Sequence, residues 1–194
     1  SIKPYLQLIN NDSIGIPYGE LTIRYWFTPE NYTGISTWID YAALGKDLVS
    51  ANYVALENPH SGAFGYVEYS FDSLAGISTD GGNSGPIESR LANTDWTNLN
   101  ESDDYSYDSS RTYAANDHIT LYRNGYLIWG TEPAQVATDL SLKVYSENKN
   151  ANTGTNTIKT DLKLANEGNV PVDYKDLSIR YWFTKDSEAD LNYW

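Results

Sequence analysis

The chain has 194 residues, 13 of them basic and 26 acidic, and its net charge of −13 argues against nucleic acids and anionic membranes as partners. It contains no cysteine, which excludes disulfides, thiolate chemistry and cysteine-ligated metals. Seventeen Tyr and six Trp are more than one core needs, and both types suit flat, half-hydrated binding faces.

Taken in chain order, the predicted elements are short strands. Apolar and polar residues alternate along Leu21–Phe27, which predicts a strand with one buried face. The same period predicts strands at 67–71, 140–145 and 177–183. The segment His118–Gly130 predicts a hairpin, because Asn124-Gly125 accepts the positive φ angles of a type I′ turn. Since no segment of ten or more residues has helical spacing and caps, the sequence predicts an all-β sandwich of jelly-roll or Greek-key type.

The chain contains an internal repeat with a period of 156 residues. Residues 1–38 align without a gap to 157–194 with 14 identities, including the block Arg-Tyr-Trp-Phe-Thr and the final pair Trp38 and Trp194. A gapless match of this length does not arise by chance, so the chain holds one period and the first part of the next. One period has the size of a single domain.

Catalytic motifs are missing from the sequence. The two histidines, His60 and His118, are far apart, and no Gly-x-Ser-x-Gly, His-Glu-x-x-His or phosphate-binding glycine loop occurs. The many acidic residues leave a glycosidase-type carboxylate pair open, but most fall in turns, where solvated surface is the simpler interpretation. The sequence therefore predicts a protein that is not an enzyme.

One acidic loop, Asn98–Ser110, has the composition of a cation site. It places Asn100, Glu101, Asp103 and Asp104 within five positions. Oxygen ligands at this density suit Ca²⁺. The spacing is not that of an EF-hand, and an ordinary polar turn is the alternative.

Five segments follow one another in the order SIKPYLQLIN, LTIRYWFTPE, TWIDYAALGKDLV, NTDWTNLNESDDYSY and HITLYRNGYLIWGTEP. In this order they resemble the family 3 carbohydrate-binding modules of bacterial cellulases and cellulosome scaffoldins. The resemblance covers 1–133 as a module without its first strand, and 140–194 as that strand with the next two. It implies a nine-stranded jelly-roll β-sandwich of two antiparallel sheets, one structural Ca²⁺, no catalysis, and binding of crystalline cellulose on a flat sheet face.

The resemblance also implies which residues bind cellulose. Asp40 and Tyr41 match one end of the family's planar strip, and Arg90 and Trp96 match the other end. Tyr105 matches an anchoring position that reaches a neighbouring cellulose chain. Flat rings in a row would stack on successive sugars, and Arg90 would pair with Asp40.

Two departures from the family pattern leave a second function open. The segment Ala43–Asn52 is short and lacks the extra aromatic residue of the fullest strips, and Glu88 adds negative charge beside Arg90. Trp38 and Tyr105 also have an alternative interpretation as partly buried core residues. The alternative function is a non-adsorbing helper or interaction module in a cellulase or scaffold protein.

The family's calcium site maps onto two segments of this chain. The resemblance implies main-chain oxygens from Thr28 and Asn100, and carboxylates from Glu30, Asp103 and Asp104. The ion would be structural, joining two loops beside the sandwich.

The repeat leaves open which copy of the first strands a module uses. We expect a module at 1–133, a linker at 134–139, and a second partial copy at 140–194, of which Leu140–Lys149 would fill the missing-strand position in its own chain or a neighbour. Alternatives are a circularly permuted module over 39–194, or segment exchange between chains. No run approaches the 18 apolar residues of a membrane span, and the resemblance implies a secreted, extracellular bacterial protein.

Overall fold

A computed structural model describes residues 1–30 and 34–193, so Trp194, the last residue of the repeat, lies outside the described residues. The chain divides into two compact units, residues 1–139 and 140–194. The described residues form twelve strands and four short 3₁₀ helices, with no α-helix among them. Across the same ranges, no helix is long and apolar enough to span a membrane. The all-β prediction is confirmed, whereas the implied count of nine strands is not.

The first unit contains two main antiparallel sheets. Its strands are β1 (Tyr5–Leu6), β2 (Ile16–Pro17), β3 (Leu21–Phe27), β4 (Ile35–Ala42), β5 (Val49–His60), β6 (Ala63–Phe71), β7 (Ile77–Ser78), β8 (Ile87–Asn93), β9 (Ile119–Arg123) and β10 (Tyr126–Trp129). One sheet has the order β1-β8-β4 and the other β10-β9-β3-β6-β5, while β2 pairs with β7. Its 3₁₀ helices are Tyr18–Glu20, Lys46–Leu48 and Ser73–Ala75.

The core lies between these two sheets. Four residues of β3 alternate into it, each at most 5% exposed: Leu21, Ile23, Tyr25 and Phe27. The three-stranded sheet contributes Leu6, Ile87 and Leu91 to the same cluster. The Tyr69 hydroxyl of β6 lies 2.8 Å from Ser89 Oγ of β8, which links the sheets across the core. This packing explains the observed alternation in β3.

The predicted hairpin is confirmed, and the segment after it is ordered by hydrogen bonds. Asn124 and Gly125, between β9 and β10, have φ angles of 50° and 83°. The segment 133–136 then bonds to the end of β5: His60 Nδ1 lies 2.7 Å from the Pro133 carbonyl oxygen, and Ser61 N–H donates to Ala134 O at 2.8 Å. Part of the predicted linker is therefore fixed to the first unit.

The second unit is a two-stranded sheet with a long extension. Strands β11 (Leu142–Asn148) and β12 (Thr160–Asn166) pair antiparallel, and a 3₁₀ helix covers Tyr174–Asp176. The strand predicted at 177–183 from its alternation is wrong, since these residues form no strand. Within 140–193 no described residue is buried, so this unit offers no sheet face on which those side chains could pack.

Candidate binding face and acidic loop site

The outer face of the β1-β8-β4 sheet carries two rows of large side chains. Glu88 of β8 is paired with Tyr5 of β1 on one side and with Tyr41 of β4 on the other. In the second row, Arg90 of β8 is paired with Trp38 of β4. Directly opposite residues lie about 5 Å apart and share a face, so these five side chains form one continuous patch, which we call the outer patch.

A bulge in β4 places two successive side chains on this face. Ile39 pairs with Ser89, but the next paired residue is Tyr41, opposite Glu88, so Asp40 is an extra residue in the ladder. In a regular strand Asp40 and Tyr41 would point to opposite faces. Because of the bulge both are exposed while Ile39 is buried, which brings the two predicted binding residues together.

Four side chains of the site are connected by successive contacts. Arg90 Nε lies 3.2 Å from Asp40 Oδ1 in an ion pair that lacks hydrogen-bond alignment. The Arg90 guanidinium lies 5.0 Å from the centre of the Trp38 ring. Trp38 in turn stacks on Trp96, with ring centres 5.6 Å apart and planes 15° apart. The contacts run from Asp40 to Trp96 and hold each side chain in a defined orientation.

Trp96 is presented on a tight turn after β8. Its φ of 62° is unusual for a residue other than glycine, and its side chain is 63% exposed. The turn is fixed by the Trp96 N–H donating to Asn93 O at 2.9 Å, and by buried Asn93 Nδ2 donating to Thr97 Oγ1 at 3.0 Å. Strained backbone of this kind persists only where surrounding contacts hold it.

Tyr105 lies apart from these residues. Its ring stacks on His118 at 4.1 Å, its hydroxyl donates to Thr131 O at 3.1 Å, and its N–H donates to Gly62 O between β5 and β6. All these partners belong to the end of the five-stranded sheet. Four of the five predicted cellulose-binding residues are therefore brought together, and Tyr105 is not among them.

The five residues predicted for calcium come together at the loop after β8. Thr28 N–H donates to Asp104 Oδ1 at 2.8 Å, and Asn100 N–H donates to Glu30 Oε2 at 2.9 Å. Asn100 Nδ2 also donates to Asp103 Oδ1 at 2.7 Å. Two carboxylate oxygens are left buried without a hydrogen-bond partner, Glu30 Oε1 and Asp104 Oδ2.

The electrostatics of this loop favour a cation. Burial raises the pKa of Asp104 to about 7, and the neighbouring carboxylates Glu30, Asp103 and Glu101 add to the rise, against the N–H bond from Thr28. No three His, Cys, Asp or Glu side chains within the described residues converge as a metal cluster. A cation held here would therefore need amide and main-chain oxygens in addition to carboxylates, which is a donor set typical of Ca²⁺.

Comparison with known proteins identifies the family. A family model described as "Cellulose binding domain" matches residues 1–130 and 143–194. The chain belongs to this family, the family 3 carbohydrate-binding modules.

Relatives and solved structures agree with this membership. The chain is 31% identical over 235 residues to beta-mannanase/endoglucanase A of Caldicellulosiruptor saccharolyticus, covering 97% of this chain and 18% of that protein. It is 32% identical over 142 residues to cellulosomal-scaffolding protein A of Acetivibrio thermocellus, covering 69% of this chain and 8% of that one. The structure of CBM3b from the major scaffoldin subunit ScaA of Acetivibrio cellulolyticus matches with a TM-score of 0.64 and 34% identity, over 68% of this chain and 86% of that chain.

One residue of the outer patch, Tyr5, was not singled out by the sequence prediction. Tyr5 is 51% exposed and joins the row of Glu88 and Tyr41. The available signal was its place between Pro4 and Leu6, which puts it on the opposite face of an alternating strand. Trp38, for which the sequence left open a position partly in the core, is half-buried on the outer face and is not part of the core cluster. Its position next to the predicted pair, out of phase with Ile39, was the signal for it.

Proposed function

We propose that this carbohydrate-binding module adsorbs to crystalline cellulose through the outer face of the β1-β8-β4 sheet. The strip would consist of Asp40, Tyr41, Arg90 and Trp96. The observation that carries the proposal is the line of contacts from Asp40 through Arg90 and Trp38 to exposed Trp96 on one sheet face.

The chemistry of these side chains fits a polysaccharide surface. Each pyranose ring exposes axial C–H groups on its faces, so the rings of Tyr41 and Trp96 can stack on sugars, while Asp40 and Arg90 bond to hydroxyl groups. Stacking of a nucleic-acid base on an aromatic side chain is worth roughly 1–3 kcal/mol. Three sugar contacts of similar size would correspond to binding in about the micromolar range.

The relatives suggest the setting in which such binding would act. Because they include a cellulase-type enzyme and a scaffolding protein, we infer that the module attaches a secreted, extracellular bacterial cellulase or scaffoldin to cellulose. The module itself would contribute adsorption and no catalysis.

Depletion from solution by microcrystalline cellulose tests the proposal. Trp96→Ala and Tyr41→Ala should each lower the binding constant for cellulose about tenfold, since one lost stacking contact is worth roughly 1–3 kcal/mol. Tyr126→Ala is the matched control, because Tyr126 is 79% exposed on β10, outside the outer patch. Tyr105→Ala measures any contribution from outside the strip. If the folded parent stays in solution, the adsorption proposal fails and the helper function replaces it.

We also propose a structural Ca²⁺ at the acidic loop. Asn100, Asp103 and Asp104 would hold the ion together with Thr28 and Glu30, and the two unpartnered buried carboxylate oxygens support the fit. When bound, the ion supplies positive charge that offsets the clustered carboxylates. It would thereby tie the segment after β3 to the loop after β8.

A further inference from the structure

The segment 131–136, which follows β10 and which we call the docked segment, is attached to the end of β5. The two run antiparallel: Ser61 N–H donates to Ala134 O at 2.8 Å, and Val136 N–H donates to Pro59 O at 3.2 Å. Four of the six residues of the docked segment are exposed. Because segments with few buried apolar contacts open at low free-energy cost, the docked segment depends on further contacts to stay in place.

Tyr105 connects the docked segment to the acidic loop. Its hydroxyl donates to Thr131 O at 3.1 Å, and its N–H donates to Gly62 O at 2.8 Å, in the turn after β5. The Tyr105 ring stacks on His118 at 4.1 Å, and His118 Nδ1 lies 2.8 Å from Tyr105 O. Tyr105 therefore contacts both the first residue of the docked segment and the turn to which the rest of that segment is bonded.

The turn after β5 also packs directly on the acidic loop. Gly62 has a φ of 68°, and a Cβ at this position would lie 3.0 Å from Asp103 O and 3.1 Å from Tyr105 N. Contacts this close leave no room for a side chain, which is a requirement that glycine meets. Because Asp103 and Asp104 directly precede Tyr105, a change in the shape of the acidic loop displaces Tyr105 and the turn together.

The charges of the acidic loop supply a reason for such a change. Asp104 is 7% exposed, and its Oδ2 atom is buried without a hydrogen-bond partner. The carboxylates of Glu30, Asp103 and Glu101 are near enough to Asp104 for their charges to act on it. Like charges clustered in a buried site repel one another unless a cation neutralises them. A bound cation would hold the loop compact, whereas repulsion favours an open loop once the cation is removed.

We propose that Ca²⁺ at the acidic loop controls the attachment of the docked segment, with Tyr105 as the positioning residue that couples the two. This inference rests on the proposed Ca²⁺ site. With the ion bound, the free connection to β11 runs from Val136 to Leu142 and spans at most about 20 Å. When the ion is removed, the docked segment is released, and the free connection from Gly130 to Leu142 spans at most about 40 Å. Ca²⁺ thereby sets the length of the free connection and the access of proteases to it.

Limited proteolysis of the full chain tests this coupling. Pancreatic elastase cuts after small residues, and a cut after Ala134, identified by the fragment masses, requires the docked segment to leave its bonds. The parent should be cut there at least about tenfold more slowly with Ca²⁺ than with chelator, because the rate follows the released fraction. Tyr105→Ala should reduce this protection to less than about twofold, since the loop and the docked segment are then uncoupled.

Two further variants separate the coupling from a general loss of stability. Tyr107→Ala is the matched control, because Tyr107 is the next tyrosine of the same loop and is 41% exposed. Its protection by Ca²⁺ should equal that of the parent. Tyr105→Phe keeps the ring that stacks on His118 and removes only the bond to Thr131 O. It should lose about threefold of the protection, the equivalent of one hydrogen bond. Circular dichroism confirms that each variant is folded.

Calorimetric titration of the parent with Ca²⁺ distinguishes the outcomes. Ca²⁺ binding together with protection that depends on Tyr105 supports the proposal. If Ca²⁺ binds but leaves the cleavage rate unchanged, or protects Tyr105→Ala as strongly as the parent, the coupling is overturned while the Ca²⁺ site stands. If Ca²⁺ does not bind, the proposed Ca²⁺ site fails and the coupling fails with it.

Discussion

In the first unit Leu21–Phe27 is a strand between β6 and β9, whereas its counterpart 177–183 in the second unit forms no strand. The two segments differ at a single position, where Thr22 is replaced by Ser178. Phe27 is fully buried, while Phe183 is 46% exposed. Since the local sequence is nearly constant, the difference comes from the partners, and strand formation here depends on neighbouring strands and a facing sheet.

Removal of the phenylalanine that ends the repeated segment, Phe27 or Phe183, should give the largest contrast between the two copies. Phe27→Ala deletes a buried ring that packs edge-on against Tyr53 at 5.5 Å, and we expect a loss of about 3–5 kcal/mol in the free energy of unfolding of the first unit. Phe183→Ala should change it by less than about 0.5 kcal/mol. Urea unfolding followed by tryptophan fluorescence measures both. Equal losses would mean that the second copy also builds a core.

The second largest contrast between the two copies should come from the removal of calcium. At a free Ca²⁺ concentration 100 times the dissociation constant, a chelator should lower the free energy of unfolding by about 2.7 kcal/mol. Glu30→Gln should abolish this dependence on Ca²⁺. Asp186→Asn, at the equivalent position of the second copy, should leave it intact, because Asp186 is exposed and lies outside the proposed site. Calorimetry with and without chelator measures the effect, and identical melting temperatures for the parent would contradict the proposed site.

The smallest expected contrast concerns the arginine of the repeated block. Arg24 Nε bonds to Glu68 at 2.9 Å, and its guanidinium lies 4.4 Å and 4.2 Å from the ring centres of Tyr66 and Tyr122. Arg24→Gln should therefore cost about 1–2 kcal/mol. Arg180→Gln should be neutral in the same urea titration, since Arg180 has no ion pair among the described residues. A neutral Arg24→Gln would show that these contacts add nothing net.

The comparison also shows what the sequence could predict. Alternation and the Asn124-Gly125 turn located β3, β6, β11 and the β9–β10 hairpin, because in these segments one face is buried or the turn geometry is local. The same reasoning predicted a strand at 177–183, for which no described residue supplies a pairing strand. The alternation along Leu21–Phe27 also puts Trp26 out of phase with the residues of the buried face. Trp26 is nevertheless only 2% exposed, since Tyr66 packs on it at 4.7 Å and its indole N–H bonds to Thr120.

The candidate site was predicted by family resemblance rather than by periodicity. Strict alternation would separate Asp40 from Tyr41, and only the pairing with β8 reveals the extra residue. The positive φ of Trp96 is likewise fixed by contacts from Asn93 and Thr97, and no local sequence pattern predicts these contacts. The register between strands distant in sequence and the contacts that hold the loop could not be predicted from the sequence alone.

The bulge in β4 has a consequence for how this surface can change by insertion and deletion. With Asp40 deleted, Ile39 would still face the core opposite Ser89, and Tyr41 would still face outward opposite Glu88, now in a regular ladder. A single codon therefore adds or removes the carboxylate that pairs with Arg90 without inverting the rest of the strand. The charge of this face can therefore change through one residue, independently of the strands that support it.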